Sequence, residues 1–133
     1  MAGRLLVIDA SLSKRLATEL ENRGKRARSV GRLANRHLKD PELLPTLVER
    51  LKGEPWVLVT GDDNMPAEHD TLVTELGVTI ATVDPRWHLS GAWDQETWKR
   101  ETVHRWAHRM AEQPNGEIRR YSPRAHRLWS PLR

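Results

Sequence analysis

The sequence predicts a three-layer α/β/α sandwich with a central, mostly parallel sheet, followed by a helical and extended C-terminal extension. Three observations carry this expectation. Short apolar runs alternate with helix-period segments as far as residue 85, the runs end in acidic turns, and tryptophans interleaved with charge follow. Strands alternating with helices imply parallel crossovers with helices on both faces of the sheet. At 133 residues the chain has the size of one domain, with room for one core. Residues 1–85 are therefore read as the core, and 86–133 as a basic extension packing on the same domain.

The first strand is Arg4 to Asp9, with Leu5-Leu6-Val7-Ile8 at its centre. Leu12, Leu16 and Leu20 recur at four-residue spacing and mark a helix that Ser11 or Ser13 can cap and Gly24 stops. Ala27 to Val30 is a weaker strand. Asp40-Pro41-Glu42 is a helix start, with a capping carboxylate, proline at the first helical position and a second acid in the positive first turn. Leu43, Leu44, Leu47, Val48 and Leu51 form its apolar face. Trp56-Val57-Leu58-Val59-Thr60 is a continuous apolar run of the kind covered on both faces. Pro66 opens a third helix, with Leu72, Val73 and Leu76 inward, and Gly77 closes it before the strand Val78 to Val83. Four strands are expected in all. Glu96 to Gln113 reads as one helix carrying Trp98, Val103, Trp106 and Met110, and Glu117 to Arg133 as an extended basic tail packed by Trp129.

The chain has no cysteine, which excludes disulfides and thiolate metal sites and leaves oxygen or imidazole to hold any metal. No segment approaches the length of a membrane span, and no export or anchoring signal is visible, so a cytoplasmic protein without membrane contact is expected. Formal charge is +4, unevenly spread: residues 1–85 carry 12 Lys/Arg against 13 Asp/Glu, and residues 86–133 carry 10 against 5. That skew suits phosphate backbones or an acidic partner, and equally a solvated basic surface.

In an open parallel sheet, ligands bind beyond the carboxyl ends of the strands. Asp9 closes the first strand, Asp62 and Asp63 follow the third, Asp84 follows the fourth, and Asp40 opens the helix between the second and third. All five carboxylates can gather at one rim. Their mutual repulsion is relieved by a cation, and hard divalent ions prefer oxygen, so a Mg²⁺ or Mn²⁺ site is expected. Metal so held acts on phosphates, which makes phosphodiester hydrolysis the natural reaction. Purely structural roles also exist: a helix cap for Asp40, and turn formation for Asp62, Asp63 and Asp84. Asp9 is least easily explained that way, because a carboxylate ending a buried central strand has little structural reason to be there.

With Asp9, Asp40 and Thr60-Gly61-Asp62-Asp63 in place, the layout resembles the PIN-like superfamily of nucleases, particularly the small prokaryotic group related to VapC-type toxins. The resemblance covers about residues 4 to 85. Leu6-Val7-Ile8-Asp9, Leu38-Lys39-Asp40-Pro41-Glu42-Leu43-Leu44 and Trp56 to Asp63 carry it, the last being the most specific. It implies that Asp62 is a metal ligand with the Thr60 hydroxyl beside it, and that Asp9 and Asp40 are the other principal acids. The usual further acid stands two residues after the Asp62 position, where this chain has Asn64, so Asp63, Asn64 and Asp84 stay open for the last place.

The resemblance further implies a metal-dependent endoribonuclease that cleaves single-stranded RNA with water as nucleophile. It also implies the toxin of a toxin–antitoxin pair, with a cognate antitoxin as partner and a homodimer as a further association. Arg32, Arg36 and Lys39 precede Asp40 and are candidates to steer RNA phosphate toward the metal.

The alternative is a non-catalytic PIN-like module that binds RNA or a partner protein through its basic C-terminal third. His104 and His108 stand four apart, but without the intervening glutamate of a metalloprotease motif they are placed on the basic helix face. Trp98, Trp106 and Trp129 suit base stacking, yet tryptophans at helical spacing belong more often to a core.

Overall fold

The computed structural model describes residues 3–34 and 38–129. Six strands form one sheet: β1 (Leu5–Ile8), β2 (Ala27–Ser29), β3 (Trp56–Thr60), β4 (Ile80–Val83), β5 (Ile118–Tyr121) and β6 (His126–Leu128). Their order is β2-β1-β3-β4-β5-β6. All pairs are parallel except β5 with β6. The helices are α1 (Arg15–Asn22), α2 (Val30–Leu33), α3 (Asp40–Arg50), α4 (Met65–Glu68), α5 (Asp70–Leu76) and α6 (Gln95–Met110). No described helix is long and apolar enough to cross a membrane.

Successive residues of a strand point to opposite faces, and β1 shows why its run is apolar throughout. Leu6 and Ile8 join Val57, Val59, Ala81 and Val83 against Leu16 and Leu20 of α1 and Val103, Ala107 and Met110 of α6. On the other face, Leu5, Val7, Leu58 and Ile80 meet Leu43, Leu44 and Leu47 of α3 and Val73 of α5. Helices thus cover both faces of the central strands.

The expected basic tail is instead part of the sheet. Residues 118–121 pair in parallel with β4, and β6 folds back on β5, so the described residues hold six strands and not four. The segment hid its strand character because only Ile118 and Tyr121 are apolar, one on each face. The charges between them are neutralised by Glu117, 2.9 Å from Arg119, and Asp63, 2.6 Å from Arg120. Buried Tyr121 donates its hydroxyl to Gln113 Oε1 at 2.8 Å, and the Gln113 amide donates to the Ile80 carbonyl at 3.0 Å. Burial pushes the Tyr121 phenol well up from its ordinary pKa.

The tryptophans are framework residues. Trp98 Nε1 donates to the Asp84 carbonyl at 2.7 Å, Trp106 Nε1 to the Ser122 carbonyl at 2.6 Å, and Trp129 Nε1 to the Asp63 carbonyl at 3.3 Å. The helix read from Pro66 is broken at His69, giving α4 and α5. Gly77 closes α5 in the left-handed conformation at φ 66°, where a side chain would be strained.

Candidate active site

The chain leaves β1 for β2 on one side and then crosses to β3 on the other. This reversal of strand order leaves a crevice beyond the carboxyl ends of β1 and β3, the usual ligand position in such sheets. Asp9 and the Thr60-Gly61-Asp62 turn stand there. Both Ser11 Oγ, at 2.7 Å, and Thr60 Oγ1, at 2.9 Å, donate to Asp9 Oδ2. Thr60 Oγ1 accepts the Asp62 N–H at 3.0 Å, and Ser11 Oγ accepts the Gly61 N–H at 2.9 Å. The two hydroxyls therefore join the β1 and β3 turns and fix Asp9. Asp9 Oδ1 accepts no hydrogen bond among the described residues. Asp62 Oδ1 accepts the Asn64 N–H at 3.0 Å, closing the turn.

Asp40 joins this pair from α3. It is the first helical residue and makes no capping hydrogen bond, with Lys39 in the cap position. The expected cap is thus not formed, and another environment accounts for its carboxylate. Burial first, then the charges of Asp9, Asp62 and Glu68, push the Asp40 carboxyl up from its ordinary range, while His69 acts in the opposite direction. His69 Nε2 lies 3.6 Å from Asp40 Oδ2, a position it owes to the break between α4 and α5. Neither His69 nor Glu68 stood out in the sequence, since only the fold brings that break against α3. Ser11 was legible only as a possible cap.

The raised Asp40 value gives a signed expectation. Its contribution to stability is fully present below the ordinary carboxylate range and is lost as pH rises through the raised value. Asp40→Asn, which cannot ionise, should therefore gain stability relative to wild type as pH rises above the ordinary carboxylate range. Urea unfolding of both proteins in EDTA checks this, and a difference that stays flat or shrinks as pH rises overturns it.

Asp63 and Asp84 are engaged by arginines. Arg120 Nε and Nη2 reach the two Asp63 oxygens at 2.8 and 2.6 Å, and the Thr82 hydroxyl donates to Asp63 Oδ1 at 2.9 Å. Asp84 takes a forked contact from Arg86, with Nη2 at 2.5 Å, and has Arg127 at 3.9 Å. Although burial opposes it, hydrogen bonding and charge from Arg86 hold the Asp84 carboxyl below its usual range. Breaking a buried pair leaves its partner uncompensated at a cost of about 3 kcal/mol. Asp63→Asn should accordingly lower unfolding stability by roughly that amount, as measured by urea denaturation. A stable Asp63→Asn protein that has lost cleavage would instead make Asp63 a ligand.

Asn64 is exposed. Arg32 lies in α2 and lines a cavity of about 320 Å³ beside Asp9, together with Lys14, Ser13 and Ser29. Exposed Lys39 directly precedes Asp40, and Arg36 lies outside the described residues. His104 departs from the expected basic face: its side chain is only 7% exposed, with Nε2 3.2 Å from Glu19 Oε1. Exposed His108 stacks near Trp106.

Among the described residues, no three His, Asp or Glu side chains are placed closely enough to clamp an ion as they stand. Asp9, Asp40 and Asp62 are neighbours whose repulsion registers at Asp40. Their oxygen-rich, half-buried setting fits a hard divalent cation by donor chemistry. No family model, curated protein or solved structure matches the chain.

Proposed function

We propose that the protein is a Mg²⁺- or Mn²⁺-dependent endoribonuclease of PIN-like type acting on single-stranded RNA, and the toxin of a toxin–antitoxin pair. The observation that carries the reading is the placement of Asp9, Asp62 and Asp40 about the crevice where the strand order reverses, with burial first and then the charges of Asp9 and Asp62 raising the Asp40 carboxyl. In this proposal Asp9, Asp40 and Asp62 hold the metal. An ion held by them would supply Lewis-acid polarisation of the phosphoryl oxygen and acidify a water.

The protein's own groups do the positioning. Ser11 and Thr60 hold Asp9 through Oδ2, and the Asn64 N–H orients Asp62. His69 Nε2 stands 3.6 Å from Asp40 Oδ2 and bounds the rim on the α3 side. Arg32 and Lys39 supply positive charge on the side of Asp9 and Asp40, where a polyanion approaches.

The alternative of a purely binding module leaned on the basic C-terminal third. Arg86, Arg100, Arg119 and Arg120 there each lie within 2.9 Å of a carboxylate oxygen of the same chain. Much of that charge is spent on the fold, which favours the catalytic reading.

The test is incubation of purified protein with labelled single-stranded RNA in Mg²⁺, Mn²⁺ or EDTA. Cleavage confined to the metal-containing reactions is expected. Absence of cleavage with either metal would overturn the proposal.

A further inference from the structure

Gly61 sits in the turn between Thr60 and Asp62, yet it is not among the glycines with positive φ. Its backbone does not require glycine. What it leaves is space: a Cβ built there would lie 3.0 Å from Lys99 Cε, 3.1 Å from Lys99 Nζ and 3.2 Å from Leu12 Cδ2, so the lysine end would have to give way slightly. The bare Gly61 backbone is thus a cradle for the end of a lysine that α6 delivers to the acid rim.

Lys99 Nζ donates only a long hydrogen bond, 3.4 Å, to the Ser11 carbonyl. Ser11 is the residue whose hydroxyl holds Asp9. Among the described residues Lys99 has no carboxylate within ion-pair distance, whereas the adjacent Arg100 is held by Glu19 at 2.8 Å. A cavity of about 250 Å³ opens beside Lys99, lined also by Ser11, Ser13, Gln95, Glu96 and Arg100. An ammonium that rests on the Ser11 carbonyl and the Gly61 turn without pairing to a carboxylate among the described residues keeps its charge available for an anion.

We propose that Lys99 and this cavity form a phosphate subsite, holding a backbone phosphate of single-stranded nucleic acid next to the phosphodiester at the carboxylate rim. The inference rests on the nuclease reading for the identity of its ligand. Lys99 acts on binding and register, and the lack of a Cβ at Gly61 leaves room for its side-chain end.

The experiment is anisotropy of a short labelled single-stranded RNA with full-length protein in EDTA across a salt series. Thermal melting verifies that each variant is folded. Lys99→Met should weaken binding roughly three- to tenfold at low salt and reduce the slope of log K against log salt by about 0.7, one phosphate contact on a single strand. Lys99→Arg should restore the slope. Gly61→Ala, which crowds the lysine end, should weaken binding in the same direction as Lys99→Met and by no more, and the double variant should be no worse than Lys99→Met alone.

An unchanged slope in Lys99→Met, or additive effects of the two substitutions, would overturn the subsite. Wild-type cleavage is scored separately. If wild type cleaves and the Lys99→Met slope is unchanged, the subsite fails and the nuclease stands. If wild type does not cleave and the slope falls, the nuclease fails and the subsite stands. Wild type that binds no RNA overturns the subsite.

Discussion

Asp9→Asn and Asp62→Asn, made singly, are expected to lower metal-dependent cleavage of single-stranded RNA on the order of a thousandfold, the several kcal/mol that charge stabilisation by a held metal supplies. Each replaces a charged oxygen by an amide nitrogen, which repels a cation, while keeping one acceptor oxygen. The asparagine oxygen at position 9 can still accept from Ser11 and Thr60, and that at position 62 can still accept the Asn64 N–H. Neither side chain is fully buried. Thermal unfolding should therefore stay close to wild type, and the loss should appear in kcat with the protein folded. Retention of full activity in both variants would remove the catalytic assignment. A loss of activity that tracks a loss of folded protein would remove the argument that these acids serve chemistry and not structure.

Truncation after Pro85 is expected to abolish folding. The cut removes Trp98, Val103, Ala107, Met110 and Tyr121 from one face of the sheet and bares Leu6, Ile8, Val57, Val59, Ala81 and Val83 beneath them. At about 2 kcal/mol for each large apolar side chain, the lost burial approaches 10 kcal/mol, comparable to the roughly 5–15 kcal/mol by which whole domains are stable. It also leaves β4 as a bare edge once β5 is gone, a template for aggregation. Expression of residues 1–85 should yield insoluble protein or, in soluble form, a circular dichroism spectrum without cooperative melting. A soluble, cooperatively melting fragment would show residues 86–133 to be an appendage.

Strands β1, β3 and β4 and helices α1, α3 and α6 were legible because their signals are local. Leu5 to Ile8 and Val57 to Val59 are buried on both faces, so an unbroken apolar run is the only pattern that serves them. β5 and β6 were not legible. Arg119 and Arg120 are tolerated in the sheet only because Glu117 and Asp63 meet them, and Asp63 lies 57 residues from Arg120. Trp106 and Trp129 were ambiguous for the same reason. Their indole nitrogens are satisfied by carbonyls of Ser122 and Asp63, which no spacing announces.

By itself, the sequence determined an α/β domain with a parallel sheet and put acids at the ends of its central strands, since strand period, helix period and turn residues act over a few positions. The tertiary structure decided which acids are paired with arginine and which are not. It bound Asp63 and Asp84 to arginines, turned Asp40 from a cap into a neighbour of Asp9, and brought Ser11, His69 and Lys99 to the rim. The physical reason is that a carboxylate's availability depends on whichever charges and hydroxyls the crossovers bring within a few ångströms of it. Local patterns record the backbone's choices and leave that proximity to the fold.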